Sequence, residues 1–89
     1  MNVLQTGNYK NLTATANVKS SAGNLLGMLC ASTSSGTVIL YDSATTTTSK
    51  PITGTITLAA GTYYPIPAGF GDGLYAVIAN TANITLFYV

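Results

Sequence analysis

Charged side chains are scarce in this chain of 89 residues, and several residue types are missing altogether. Only 6% of the residues are charged, namely three lysines and two aspartates, for a net charge of +1. The chain contains no His, Glu, Arg or Trp. Without His or Glu, the sequence offers no imidazole general base and no paired-glutamate acid/base site, and it lacks most of the usual zinc ligands. We therefore expect neither catalysis nor a metal or cofactor site.

One thiol and two carboxylates remain as candidates for chemistry. Cys30 lies in an apolar run, and no His is present to activate it, so we interpret it as a buried structural residue. Asp42 follows Tyr41 at the end of a predicted strand, and Asp72 lies between Gly71 and Gly73. Glycosidase or aspartic-protease chemistry would require both carboxyls in one cleft, whereas turn aspartates commonly accept backbone hydrogen bonds. We expect the turn role for both.

The same composition argues against two classes of partner. Three lysines spread over forty residues make no phosphate-neutralising stripe, so nucleic acid is not an expected partner. The apolar runs are far shorter than the roughly 20 residues that span a bilayer, so no membrane partner is expected. Residues 1–9 lack the basic segment and long apolar run of a secretory signal, and we expect synthesis and use inside a cell.

The small size of the chain points to self-association. A chain of this length buries on the order of 60% of its unfolded surface, so hydrophobic gain and conformational entropy nearly balance. Small domains in that position usually add disulfides, metals or partner subunits. Because Cys30 is the only cysteine, no intrachain disulfide can form. We therefore predict an assembled form rather than a stable isolated monomer.

Composition and periodicity predict an all-β fold. Thr occurs fifteen times and Val plus Ile eleven times, so more than a quarter of the chain is β-branched. The expected architecture is a small β-sandwich or jelly-roll-like domain of six to eight short antiparallel strands. It forms a single domain over residues 11–89. Residues 1–10, which show no strong period, are predicted to be an N-terminal arm or an edge strand.

Alternating apolar residues and turn signals place the individual strands. The residues between 25 and 32 are almost continuously apolar, which favours a strand covered on both faces. Turns are predicted at residues 34–36 and 80–83. The predicted strands cover residues 12–19, 25–32, 37–42, 50–58, 62–66, 74–79 and 84–89.

Tyrosine is the most informative residue type for binding, because it combines a large contact area with a polar tip. The six tyrosines could be core or intersubunit residues, or they could stack on sugars. The apolar residues of the first segment could dock on a partner. The candidate interface residues are Val3, Leu4, Tyr9, Tyr63, Tyr64 and Tyr75.

Four segments carry a resemblance to a known class of protein: GTVILYD at 36–42, GTITLAAGTYYPIP at 54–67, GLYAVI at 73–78 and ITLFY at 84–88. Over residues 18–89 their order resembles small virion proteins of tailed bacteriophages, of the capsid decoration (cement) or head-fibre type.

This resemblance implies a location on the capsid surface and binding to the major capsid protein, with stabilisation of the expanded head. It also implies homotrimers at local three-fold positions. The alternative is a carbohydrate-binding β-module of a tail fibre or surface protein, with the tyrosines as stacking platforms.

Overall fold

The computed structural model describes residues 7–89, and these form one antiparallel sheet of six strands. The all-β prediction, with six to eight antiparallel strands, is confirmed. No helix among residues 7–89 is long and apolar enough to cross a membrane. The strands are β1 (Asn8–Leu12), β2 (Ala16–Lys19), β3 (Gly23–Tyr41), β4 (Ile56–Thr57), β5 (Thr62–Phe70) and β6 (Leu74–Tyr88).

Two long strands, β3 and β6, form the centre of the sheet. They pair along their whole length, from Leu25 opposite Tyr88 to Tyr41 opposite Tyr75. At one end they are flanked by β5 and β1, and at the other end by β4 and β2. We call the four-stranded order β5-β3-β6-β1 the first half of the sheet, and the order β4-β3-β6-β2 the second half.

The connectivity has an internal two-fold character. Strands β1, β2 and β3 form one unit of two short strands and a long one, and β4, β5 and β6 form a second unit in the same order. Both β1 and β2 pair with β6, whereas β4 and β5 pair with β3. Each of these ladders, and the β3–β6 ladder, therefore joins a strand of one unit to a strand of the other.

The two turns predicted at residues 34–36 and 80–83 are wrong, because both strands continue through these positions. Ser35 and Asn80 adopt positive φ values of 54° and 62°, and the β3–β6 register shifts between Ser34 and Ser35. The amide Nδ2 of Asn80 donates to the carbonyl of Ser35 over 2.7 Å. Because the two irregular sites face each other across the ladder, both strands bend without reversing direction.

The first predicted strand is also corrected, since it is divided into β1 and β2. Leu12 pairs with Ile84, whereas Ala16 pairs with Ala76. The two partners are eight residues apart on β6, although Leu12 and Ala16 are only four apart in the chain. Residues 13–15 therefore cross the bend of β6 directly.

The strand predicted at residues 50–58 is much shorter than expected, since only the two residues of β4, Ile56–Thr57, form a strand there. The N–H groups of Ile52 and Thr53 both donate to the carbonyl of Leu40, which breaks the regular ladder at that point. The apolar alternation was still informative, since Ile52 is half-buried and packs against the core while Leu58 is buried within it.

Both halves of the sheet contribute to one hydrophobic core. Its fully buried large side chains include Leu25, Met28, Leu40, Leu74, Ile84 and Leu86. The prediction that residues 25–32 are covered on both faces is wrong, because Leu26 is half-buried and Leu29 is 37% exposed. One face of this apolar run therefore contacts the core, and the other is an outer surface.

Only part of the segment predicted as an arm or an edge strand, residues 1–10, belongs to the described residues 7–89. Residues 8–10 belong to β1, at the edge of the first half, so the expected boundary after residue 10 falls inside a strand. Val3 and Leu4 lie outside the described residues.

Candidate functional site

Apolar side chains gather on the outer surface of the first half of the sheet. Because successive side chains of a strand point to opposite sides, an apolar residue next to a core residue lies on this surface. In register, Tyr9 of β1 faces Phe87 of β6, and Leu29 of β3 faces Tyr63 of β5. We call the set Tyr9, Leu26, Leu29, Tyr63 and Phe87 the aromatic face.

Gly27 allows the Tyr63 ring to lie across β3. A Cβ atom at Gly27 would overlap the Oη and Cζ atoms of Tyr63, so the phenol ring crosses β3 above this glycine. The ring centroids of Tyr63 and Phe87 are 6.3 Å apart at an angle of 53°, a favourable tilted arrangement. A register shift between Leu25 and Gly27 accompanies the crossing.

A shallow recess of about 390 Å³ opens on the aromatic face. It is lined by Gly7, Asn8, Leu26, Tyr63 and Phe87. None of these residues is an aspartate, glutamate, lysine, arginine or histidine. Beside the recess, Tyr9 protrudes with 74% of its surface exposed, and Tyr63 is 50% exposed. The face is thus an exposed, uncharged and largely apolar patch.

Charged groups instead line a second open recess of about 410 Å³, which contains Asp42, Lys50 and Asp72. Asp42 accepts backbone N–H bonds from Gly71 at 3.0 Å, Asp72 at 2.8 Å and Gly73 at 3.2 Å. Lys50 donates to the carboxylate of Asp72. Asp42 thereby fastens the end of β3 to the turn between β5 and β6.

These hydrogen bonds also decide what the Asp42 carboxyl can do. Backbone donation from Gly71 and then Asp72, with smaller contributions from Gly73 and the charge of Lys50, holds the pKa of Asp42 below its ordinary value. A general acid needs the opposite shift. The two aspartates do meet in one recess, but the arrangement found for Asp42 is that of a turn-fastening residue. Among residues 7–89, no group of three or more His, Cys, Asp or Glu is placed to hold a metal ion.

The structure separates the predicted interface tyrosines. Tyr9 and Tyr63 share the aromatic face, whereas Tyr64 points toward the core side and its hydroxyl accepts the N–H of Ala59 at 2.9 Å. Tyr75 lies on the second half, where its ring centroid is 6.2 Å from that of Tyr41.

Sequence reasoning missed three members of the aromatic face: Leu26, Leu29 and Phe87. The available signal is the almost continuous apolar run around residue 27, which also predicts burial on both faces. A run of this kind equally fits an outer surface that a partner covers.

The edges of the sheet carry features that hinder pairing with another strand. On β1, the exposed Lys10 lies opposite Leu86, on the core-facing side of an edge strand. On β5, Pro65 and Pro67 remove two N–H donors. Inward-pointing charges and prolines are common protections of this type. Contact through the face is therefore favoured over contact through the edges.

Comparison of the chain with protein-family models, with curated proteins and with solved structures gives no match. The functional assignment accordingly depends on the surface described above.

Proposed function

We propose that this chain is a non-enzymatic structural protein of a phage particle, which binds the outer capsid surface as a decoration protein and stabilises the expanded head. The aromatic face carries the proposal. An exposed apolar patch on a small protein commonly marks a protein-binding surface, and tyrosines are enriched among residues that dominate such contacts. Tyr9 and Tyr63, at 74% and 50% exposure, have the required accessibility.

The low charge of the chain suits repeated packing against other proteins. Burying an unpaired ion costs several kcal/mol, and only five residues of this chain are charged. A decoration protein that binds the expanded lattice better than the unexpanded one stabilises the expanded state by the difference in binding free energy. Because the lattice offers many equivalent sites, a small difference at each site has a large total effect.

The proposed partners are the major capsid protein and further copies of the chain itself, and the proposed location is the virion surface after synthesis in the host cytoplasm. For the arrangement of those copies on the capsid, the resemblance of residues 18–89 to phage decoration proteins implies a homotrimer.

Quantitative mass spectrometry of density-purified virions tests this function. The expected result is hundreds of copies of the chain for each particle, measured relative to the major capsid protein. A few copies would assign the chain to a tail, fibre or vertex, and complete absence would refute a virion role. Binding of the purified chain to expanded but not unexpanded heads would then establish the stabilising mechanism.

Carbohydrate binding is the second candidate, because the exposed ring of Tyr63 lies over Gly27, beside Phe87. Such a ring can stack on a sugar. Affinity electrophoresis with a glycan panel distinguishes the two functions, since Tyr63→Ala should abolish glycan retention only in the carbohydrate-binding case. Tyr75→Ala, on the other half of the sheet, is the matched control.

A further inference from the structure

The aromatic face contains both a protrusion and a recess. Tyr9 has the highest exposure of the large hydrophobic side chains described, at 74%. It pairs in register with Phe87, and Phe87 lines the recess. The protruding ring and the recess are thus neighbours on adjacent strands of one surface.

We propose that a second copy of this chain covers the aromatic face across a two-fold axis, with Tyr9 of each copy seated in the recess beside Tyr63 of the other. A two-fold interface uses the same patch on both subunits, so that patch must be complementary to itself. A protrusion next to a recess meets this requirement. The recess of about 390 Å³ is also large enough for a phenol ring, since it falls within the usual range of ligand pockets, about 300–1,000 Å³.

The distribution of charge favours a second copy as the occupant. Three of the five charged residues, Asp42, Lys50 and Asp72, line the other recess, and no charged side chain lines the recess of the aromatic face. Two identical uncharged faces meet without like-charge repulsion and without burying an ion. A charged partner, in contrast, would find no complementary group at this recess.

The available area is consistent with a stable dimer. A standard interface takes about 800 Å² from each partner, which is roughly one sixth of the 4828 Å² surface of this chain. An interface of this size therefore needs only a minor part of the surface of the chain. Strand-to-strand association is hindered by Lys10, Pro65 and Pro67, which leaves the face as the favoured route.

For the free protein this geometry predicts a dimer, whereas the resemblance implies a trimer on the capsid. A closed trimer requires head-to-tail contact between two different surfaces of each copy. Here the protrusion and the recess lie side by side on one face, which suits the self-complementary patch of a two-fold dimer. The dimer is a state of the free protein. Because it covers the face that is proposed to bind the capsid, a copy must leave the dimer before it binds the capsid through that face.

Sedimentation velocity of the purified full chain over a wide concentration range is the primary test. We expect a reversible monomer–dimer equilibrium. Tyr9→Ala should weaken dimerisation at least about tenfold, as for a tyrosine that dominates an interface. Tyr9→Phe should retain most of the affinity, because it keeps the ring. Tyr75→Ala should leave dimerisation unchanged, and circular dichroism verifies that each variant is folded.

A mixed sample of isotope-labelled and unlabelled chain provides the second test. We expect intermolecular nuclear Overhauser effects between the Tyr9 ring of one copy and the Leu26 methyl groups of the other. A chain that remains monomeric at all concentrations, a trimer, or equal damage from Tyr9→Ala and Tyr75→Ala would each overturn the proposal.

Discussion

Gly27 is the residue on which the shape of the aromatic face depends. Replacement by Ala would place a methyl group against the Tyr63 ring and 2.9 Å from the backbone oxygen of Tyr64, so both the ring and the β5 backbone must shift. We expect Gly27→Ala to lower the free energy of unfolding by about 1–3 kcal/mol, as for other overpacked sites. Urea denaturation followed by circular dichroism measures this loss.

Gly54→Ala is the matched control for this substitution. A Cβ atom at Gly54 has no neighbour within 4 Å among the described residues. Its effect should stay within about 0.5 kcal/mol. Equal losses for the two variants would show that Gly27 is not required by the crossing of Tyr63.

The free energy of unfolding depends on pH through the Asp42 carboxyl. Its pKa in the folded chain lies below the ordinary value of 3.8, so the unfolded chain binds the proton more tightly. The contribution of the carboxylate is therefore complete above pH 3.8 and is lost as pH falls through the lowered folded pKa. We expect Asp42→Asn to be less stable than the wild type at pH 7, with the difference shrinking in acid.

Urea denaturation of both proteins between neutral and acidic pH measures this difference. Asp72→Asn is the comparison variant, since the Asp72 carboxylate contacts the exposed Lys50. Surface ion pairs contribute little, so this change should have a smaller effect at pH 7. A difference between wild type and Asp42→Asn that persists at the lowest pH would contradict the assignment.

At the scale of the strands, a side chain between β1 and β2 replaces the backbone hydrogen bonds to β6 that are missing there. The hydroxyl of Thr15 accepts the N–H of Ile78 at 2.9 Å and donates to its carbonyl at 3.2 Å, in the place of a backbone ladder. Thr15→Val keeps the shape but removes both bonds. We expect a loss of about 1 kcal/mol and faster hydrogen exchange at the Ile78 amide.

Thr13→Val serves as the control for that experiment, because Thr13 is an exposed residue of the same crossing segment. It should leave the Ile78 amide as protected as in the wild type. Comparable deprotection in both variants would mean that the crossing segment, rather than the Thr15 hydroxyl, protects β6.

The strands also show which features of the fold can be predicted from the sequence alone. The all-β class is predicted correctly, and Leu12, Val18 and Leu58, which are apolar positions of the predicted strands 12–19 and 50–58, are buried. The sequence could not show that β3 and β6 continue through Ser35 and Asn80, because local turn signals do not reveal whether a chain bends or reverses. That outcome depends on the partner strand, where the irregular positions face each other. For the same reason, the run around residue 27 did not disclose which of its faces is uncovered.

For the whole molecule, the interleaving of the two units has a consequence for folding. Every ladder described joins one unit to the other, so neither unit can build its sheet alone. The 42–55 connection between them is exposed over residues 45–51. We expect a chain cut between Thr48 and Ser49 to give two fragments that are each unfolded in isolation and form the native sheet when mixed.

Circular dichroism of each fragment and of the equimolar mixture measures this complementation. The separate fragments should lack a β signal, since nearly all backbone partners of β3 and β6 lie on the missing fragment. Mixing should restore a cooperative thermal transition that depends on concentration, because association and folding become one process. A fragment that alone protects its amides from hydrogen exchange would contradict the interleaved arrangement, since such protection requires strand pairing within one unit.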